Sequence, residues 1–253
     1  MNALVRLLSL PACCLSRIPG CRSIVRACST SVGQKILMAL TGLSLCGFLI
    51  AHLGGNLLLF AGEEKFNHYA ETLHSYGPLL AVAETGLFGM FLLHIGLAIS
   101  TTAMNKAARG TDYREKASKQ GVFVMPGGAF SWMVVTGVVV AFFLVLHLTD
   151  LKFKANPLVD YPEVAAAETA ESHEGHNEYA AVRAVLKNPI NTVAYAVALI
   201  ALGIHLSHGV RSALQTLGVN HRRWNVLLDI VSRVFGWAIA AGFLSIVVWA
   251  MAT

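Results

Sequence analysis

Five stretches of this chain carry no Asp, Glu, Lys or Arg over lengths that can cross a membrane. They cover residues 36–62, 85–105, 120–149, 188–210 and 234–253, against about 20 residues needed to span a bilayer core. Hydrocarbon offers no water to the backbone, so runs of this kind must satisfy their own hydrogen bonds as helices. Only 13% of the 253 residues are charged, roughly half the ~25% usual for soluble domains, and no long polar segment remains for a soluble catalytic domain. The expected fold is an all-α integral membrane protein, a bundle of five transmembrane helices over about 34–61, 79–104, 128–150, 189–216 and 225–251. Residues 34–253 then form one membrane domain and 1–33 a basic tail.

Charge between the spans sets the orientation, because cytoplasmic loops are enriched in Lys and Arg. Residues 1–35 hold Arg6, Arg17, Arg22, Arg26 and Lys35 without an acid, whereas the 61–77 loop holds Glu63, Glu64 and Glu71 against Lys65. The 105–119 segment is basic again, the 149–187 loop sets seven acids against four bases, and Arg211, Arg222 and Arg223 have no acid among them in 211–223. This alternation predicts the N-terminus inside and the C-terminus outside. The net charge of +5 thus resolves into loop asymmetry and is no footprint for nucleic acid. Anionic lipid headgroups would also suit the basic loops.

Residues 1–30 are Arg-rich, contain Ser and lack acids, as an organelle transit peptide would. A disordered basic inner tail fits equally well. The two readings place the chain in the mitochondrial inner membrane or, as the main expectation, in the bacterial inner (plasma) membrane. Cys13, Cys14, Cys21, Cys28 and Cys46 all avoid the expected outer loops, where disulfides would be favoured, and read as structurally incidental. The 151–187 segment, with Pro157, Pro162, His173 and His176 among Glu and Ala, reads as a flexible outer excursion. No internal repeat stands out. Asp229 and Arg233, four apart, are expected to pair on one helix face.

The chemistry is expected from histidine. His52, His94, His147 and His205 lie one per span within the first four spans. An ionisable residue inside a membrane is costly, faces the bundle interior and marks function by default; a single one would serve as well to bond neighbouring helices. With the helices alternating in direction, His52 and His147 fall in the outer half and His94 and His205 in the inner half. At ~1.5 Å rise per residue the two pairs differ in depth by roughly 15 Å. Two metal centres stacked across the bilayer, each held by a histidine pair, fit that split; a zinc or copper cluster would need its ligands to converge on one point. Haem iron takes axial ligands from opposite faces of its ring. Gly55, Gly86 and Gly209 share roughly the faces of His52, His94 and His205, while Gly54 and Gly89 point further away. Such glycines would let a porphyrin edge approach, or serve ordinary helix packing. His208, a turn nearer the inner surface, is the alternative to His205; His68, His74, His173, His176 and His221 read as solvated polar residues.

Four segments together carry a resemblance: GQKILMALTGLSLCGFLIAHLGGNLLLF, ETGLFGMFLLHIGLAI, FFLVLHLTDLKF and IHLSHGVRSALQTLG. The chain from about 33 to 252 resembles the di-haem, single-polypeptide cytochrome b subunit that anchors succinate dehydrogenases and fumarate reductases. A His with Gly four places later, as in His205 and Gly209, is similar to that family's helix IV ligand motif. The resemblance implies two b-type haems, the outer on His52 and His147 and the inner on His94 and His205. It also implies a flavoprotein and an iron–sulfur subunit docked on the inner membrane face. Electrons from succinate would then pass through flavin, iron–sulfur clusters, inner haem and outer haem to a quinone, menaquinone or ubiquinone, or run in reverse toward fumarate. The chain itself would be the quinone-reacting subunit and would not oxidise succinate alone. Glu84, Glu71 and His74 are the candidates for quinone binding or proton supply at the outer end; for Glu71 and His74 an ordinary surface position competes with that role. Some fumarate-reducing relatives have a glutamate two residues before the helix IV ligand; here that position is Gly203. Two further readings compete: a stand-alone transmembrane cytochrome b serving soluble donors, and a small transporter whose histidines line a path. The transporter would favour helices broken near the midplane, and no proline interrupts these spans.

Overall fold

The computed structural model describes residues 30–108, 129–161 and 177–253. Among these residues every regular element is a helix. Helix α1, Ser31–Asn56, continues as a 3-10 turn, Leu57–Ala61. Then follow α2, Glu63–Ser75, α3, Pro78–Ala107, and α4, Ala129–His147, which runs into a π turn, Leu148–Lys152. Last come α5, Glu178–Lys187, α6, Pro189–Thr216, and α7, Asn225–Ala252. Five of these segments, Ser31–Ala61, Pro78–Ala107, Trp132–Lys152, Pro189–Thr216 and Asn225–Ala252, are long and apolar enough to cross a membrane. Their outward faces are apolar too: Val82, Phe142, Val145, Val193, Val234 and Val248 are each more than 60% exposed, which suits contact with lipid rather than water. This is an all-α, multi-span membrane protein.

Local chemistry sets the helix ends. The Thr30 hydroxyl accepts from Gly33 N at 3.0 Å to open α1, and Asn188 caps α6 ahead of Pro189 by accepting from Ile190 N at 3.0 Å. Both are standard N-terminal devices. Gly77, with φ of +48°, turns the chain from α2 into α3, a conformation in which glycine carries no Cβ penalty.

One end of the bundle is capped. The short helices α2 and α5 lie across it, joined by Asn67 Nδ2 donating to Asn177 Oδ1 at 3.1 Å and Tyr179 N donating to Asn67 Oδ1 at 3.0 Å. Beneath them Leu59, Phe66, Val159, Val182, Val185 and Leu186 form the broadest buried apolar cluster, continuous with Tyr195 and Leu199 of α6 and Val247 of α7. The expected flexible excursion at 151–187 is therefore corrected in part. Ala181, Val182, Val185 and Leu186 form one buried face of α5, an amphipathic pattern that the surrounding Glu and Ala obscured; residues 162–176, with His173 and His176, lie outside the described residues. So do the tail's four cysteines, Arg6 to Arg26 and most of the 105–127 loop.

Packing among the long helices is uneven. Helices α6 and α7 make the closest pair. Their seam is lined by small residues, Gly203, Ser207, Ser232, Gly236 and Ala240, and a Cβ on Gly236 would come within 2.7 Å of Gly203 O and Ser207 N. Small residues bring helix backbones together in this way inside membranes. Helix α1 packs on α3, α6 and α7, and α4 packs on α6, but α1 makes no substantial backbone contact with α4, nor α3 with α6. The expected pair on α7 forms: Arg233 and Asp229 meet at 2.7 Å, and Arg211 of α6 joins the same carboxylate at 2.8 Å.

Candidate functional site

Two of the histidines meet across a helix pair that does not pack directly. His52 of α1 and His147 of α4 stand with ring centroids 5.9 Å apart and planes at 89°. Aromatic rings surround them: Phe48 stacks on His52 at 5.2 Å, Phe243 lies at 5.6 Å, and Phe143 lies 5.5 Å from His147. Both rings are half-buried and near the capped end. Further along the bundle, His94 of α3 and His205 of α6 are close enough to interact electrostatically.

Each ring's orientation has a visible cause. Thr41 Oγ1 lies 3.1 Å from His94 Nδ1, and Thr136 Oγ1 lies 3.2 Å from His205 Nδ1. Each threonine already donates its single proton to its own helix, Thr41 to Leu37 O at 2.9 Å and Thr136 to Trp132 O at 2.6 Å. With the hydroxyl proton directed to its own helix, the oxygen lone pair faces Nδ1, which favours the tautomer that carries its proton there and keeps the Nε2 lone pair. Glycine beside each threonine admits the ring: a Cβ on Gly42 would sit 3.2 Å from His94 Cε1, and one on Gly137 3.4 Å from His205 Cε1.

At the capped end the partners differ. Tyr195 Oη lies 3.4 Å from His147 Nδ1. His52 has only Asn56 Nδ2, at 3.5 Å from either ring nitrogen, too long for a good hydrogen bond. Three of the four histidines thus have Nδ1 against a hydroxyl, the arrangement in which Nε2 can bind a metal. Among the described residues no three His, Cys, Asp or Glu side chains converge on one point; these imidazoles come in twos.

Other candidates fall elsewhere. His208, half-buried, faces Arg211, Asp229 and Arg233 at the uncapped end. Glu84, near the capped end of α3, is exposed and pairs with Lys152 at 2.6 Å. Glu71 and His74 lie on the exposed side of α2, where His74 Nδ1 bonds Ala70 O at 2.8 Å. Gly55 does not open space beside His52: a Cβ there would overlap the Tyr69 ring of α2, with Cε1 and Cζ at 2.7 Å. Gly54, Gly86 and Gly89 face open space, and Gly209 meets only Met133 at 3.8 Å. Position 203 faces α7, 3.0 Å from Ala240 Cβ and 3.2 Å from Trp237, so no larger side chain fits without moving that helix.

The residues missed from sequence are Thr41, Gly42, Thr136, Gly137 and Tyr195. A signal existed: Thr-Gly stands eleven and ten residues ahead of a His-Leu pair in both α1 and α4, three turns away on one face. Against the apolar background of both helices so short a repeat does not stand out. No family model, curated protein or solved structure matches the chain.

Proposed function

We propose that this chain is the di-haem cytochrome b anchor of a succinate:quinone oxidoreductase, with His52 and His147 holding one b-type haem and His94 and His205 the other. The observation that carries the reading is the facing pair of His52 and His147 on helices that do not pack on each other, together with His94 and His205, whose Nδ1 each lies against a threonine hydroxyl. The donor set suits haem iron, which takes one imidazole from each face. His52 and His147, with ring centroids 5.9 Å apart, would hold one iron between them. Helices α1 and α4, like α3 and α6, are not packed on each other, which would let a flat ring lie between them. His205, braced by Thr136, suits the role better than His208, which faces an ion-pair cluster.

Bound haem would supply one-electron transfer. The chain's own part is to fix ligand tautomer through Thr41 and Thr136, to keep water from the rings with Phe48, Phe143 and Phe243, and to stack two sites along the bundle. In this reading the capped end is outer and the uncapped end, with Arg211, Arg222, Arg223 and Lys106, faces the flavoprotein and iron–sulfur subunits. Quinone would react at the capped end, where Glu84 beside Lys152, with Glu71 and His74, could pass protons. The test is a dithionite-reduced minus air-oxidised spectrum of the purified chain, with haem counted per polypeptide. Two b-type haems, falling to one in His52→Ala or His147→Ala, and co-purification with a flavoprotein support the reading; folded protein without haem overturns it.

A further inference from the structure

A polar cavity of about 340 Å³ opens at the capped end, near the low end of the ~300–1,000 Å³ usual for small-molecule sites. Arg183 and Lys187, four apart on one face of α5, line it together with Glu63 from the start of α2 and Asp160 from the chain beyond α4. Lys152 and Lys154, also at this end, are paired with Glu84 at 2.6 Å and Glu178 at 2.9 Å. Among the described residues the four charged groups of the cavity form no ion pair, with one another or with anything else. Glu63 accepts from Asn177 Nδ2 at 2.6 Å, and Arg183 reaches only Thr253 Oγ1, at 3.4 Å. What holds Arg183 is aromatic: its guanidinium lies 5.7 Å from the Tyr179 ring centroid and 5.8 Å from that of Trp249, within range of a cation–π contact. Trp249 stands in the last turn of α7, the level at which Trp and Tyr gather at a membrane surface. The exposed ring of Phe60 packs edge-on against it at 5.4 Å.

We infer that this cavity binds the headgroup of an ethanolamine phospholipid from the leaflet at the capped end. Two cations and two carboxylates match a headgroup that carries one phosphate and one primary ammonium, with no net charge left over. The phosphate sits against Arg183, steadied by its two rings, and Lys187, whose N–H groups make charge-assisted bonds to its oxygens. The ammonium, with three N–H donors as in a lysine, faces Glu63 and Asp160. The acyl chains leave past Phe60 onto the exposed apolar faces of the spans. A choline headgroup has no N–H to give the carboxylates, and a glycerol headgroup has no cation for them. A soluble phosphoethanolamine has the same two charges but none of the apolar contact. This site is separate from the histidine pairs and does not depend on the haem reading.

Native mass spectrometry of the full chain, released from nanodiscs holding equal parts of phosphatidylethanolamine, phosphatidylcholine and phosphatidylglycerol with matched acyl chains, tests this. Wild type should retain phosphatidylethanolamine over either other lipid by about tenfold or more, the scale of one hydrogen bond to a charged group. Glu63→Gln with Asp160→Asn should erase that preference and move it toward phosphatidylglycerol; Arg183→Gln with Lys187→Gln should abolish retention of all three. Equal retention of the three lipids by wild type overturns the inference, as does an unchanged preference in both variants. Free O-phosphoethanolamine that displaces the lipid at equal concentration overturns the membrane source. If the Arg183 variant does not fold, Lys187→Gln and the carboxylate variant, all at exposed positions, decide the matter.

Discussion

Replacing Thr136 by Val removes a hydroxyl and keeps the branched shape. Thr136 is 3% exposed, its oxygen is the acceptor 3.2 Å from His205 Nδ1, and water cannot easily take its place. In the variant the imidazole N–H faces a methyl group. Leaving a buried donor unsatisfied costs about 1–3 kcal/mol, and about 1.4 kcal/mol corresponds to a factor of ten. The lower end of that range sets the expectation at about tenfold. The assay is transfer of haem from the detergent-solubilised chain to excess apomyoglobin, followed optically. Two phases are expected in wild type; Thr136→Val should speed one about tenfold and leave the other, and Thr136→Ser, which keeps the hydroxyl, should restore it. Wild-type rates for both phases in the Val variant would refute the tautomer argument.

Three further outcomes follow from the same structure. Gly236→Val drives a side chain into the α6 backbone, 2.7 Å from Gly203 O and Ser207 N; overpacking costs about 1–3 kcal/mol, so the thermal midpoint in detergent should drop clearly, and an unchanged midpoint would refute the close seam. Tyr161, beyond the end of α4, holds its phenol proton above the usual tyrosine range, chiefly because burial disfavours the anion and also because Asp150 repels it. The folded state then keeps a proton that the unfolded chain loses above about pH 10. Tyr161 stabilises the fold fully below that value and progressively less above it, so between about pH 9 and pH 11 the midpoint of wild type should fall more steeply than that of Tyr161→Phe. Finally, stripping haem should speed hydrogen exchange in α3 and α4 far more than in α6 and α7, since only 11% and 6% of those spans are buried within the chain against 39% and 33%; uniform exchange would count against haem as the filler between them.

The long helices were legible because a membrane leaves the sequence few options. The α6 bounds, 189–216, coincide with expectation, and Pro189 and Asn188 mark its start chemically. The ends of α1 and α4 were less so, since 3-10 and π turns depend on tertiary contacts that no apolar run encodes. Helix α5 was hidden because ten residues with four buried positions make a weak periodic signal beside Pro157 and Pro162. At the site, the histidines were legible as costly polar residues in apolar runs. Their braces were not: Thr bonds back to its own helix carbonyls at many membrane positions, and only the cross-helix distance shows that Thr41 and Thr136 also meet an imidazole. Gly55 misleads for a related reason: Tyr69 of α2, the next helix along the chain, occupies the space beside it.

The braces also show why the two histidine pairs are not independent. Helix α1 supplies His52 to one pair and, through Thr41 and Gly42, holds His94 of the other. Helix α4 does the same with His147 and with Thr136 and Gly137 against His205. Any rotation of α1 or α4 about its axis therefore disturbs a histidine of one pair and a hydrogen bond to the other. Helices α3 and α6 each contribute one histidine and carry no brace for the other pair, except for Tyr195 of α6. Helix α7 contributes none of the paired histidines and instead closes the side of the bundle, with Phe243 against His52 and Gly242 so near Leu53 that a Cβ would stand 2.7 Å from Cδ2. Two sites stacked along the bundle are thus aligned by the same two rigid helices. Electron transfer between them would need that alignment more than it needs any single contact, because spacing fixed by a helix, at about 1.5 Å per residue, does not drift as a loop would.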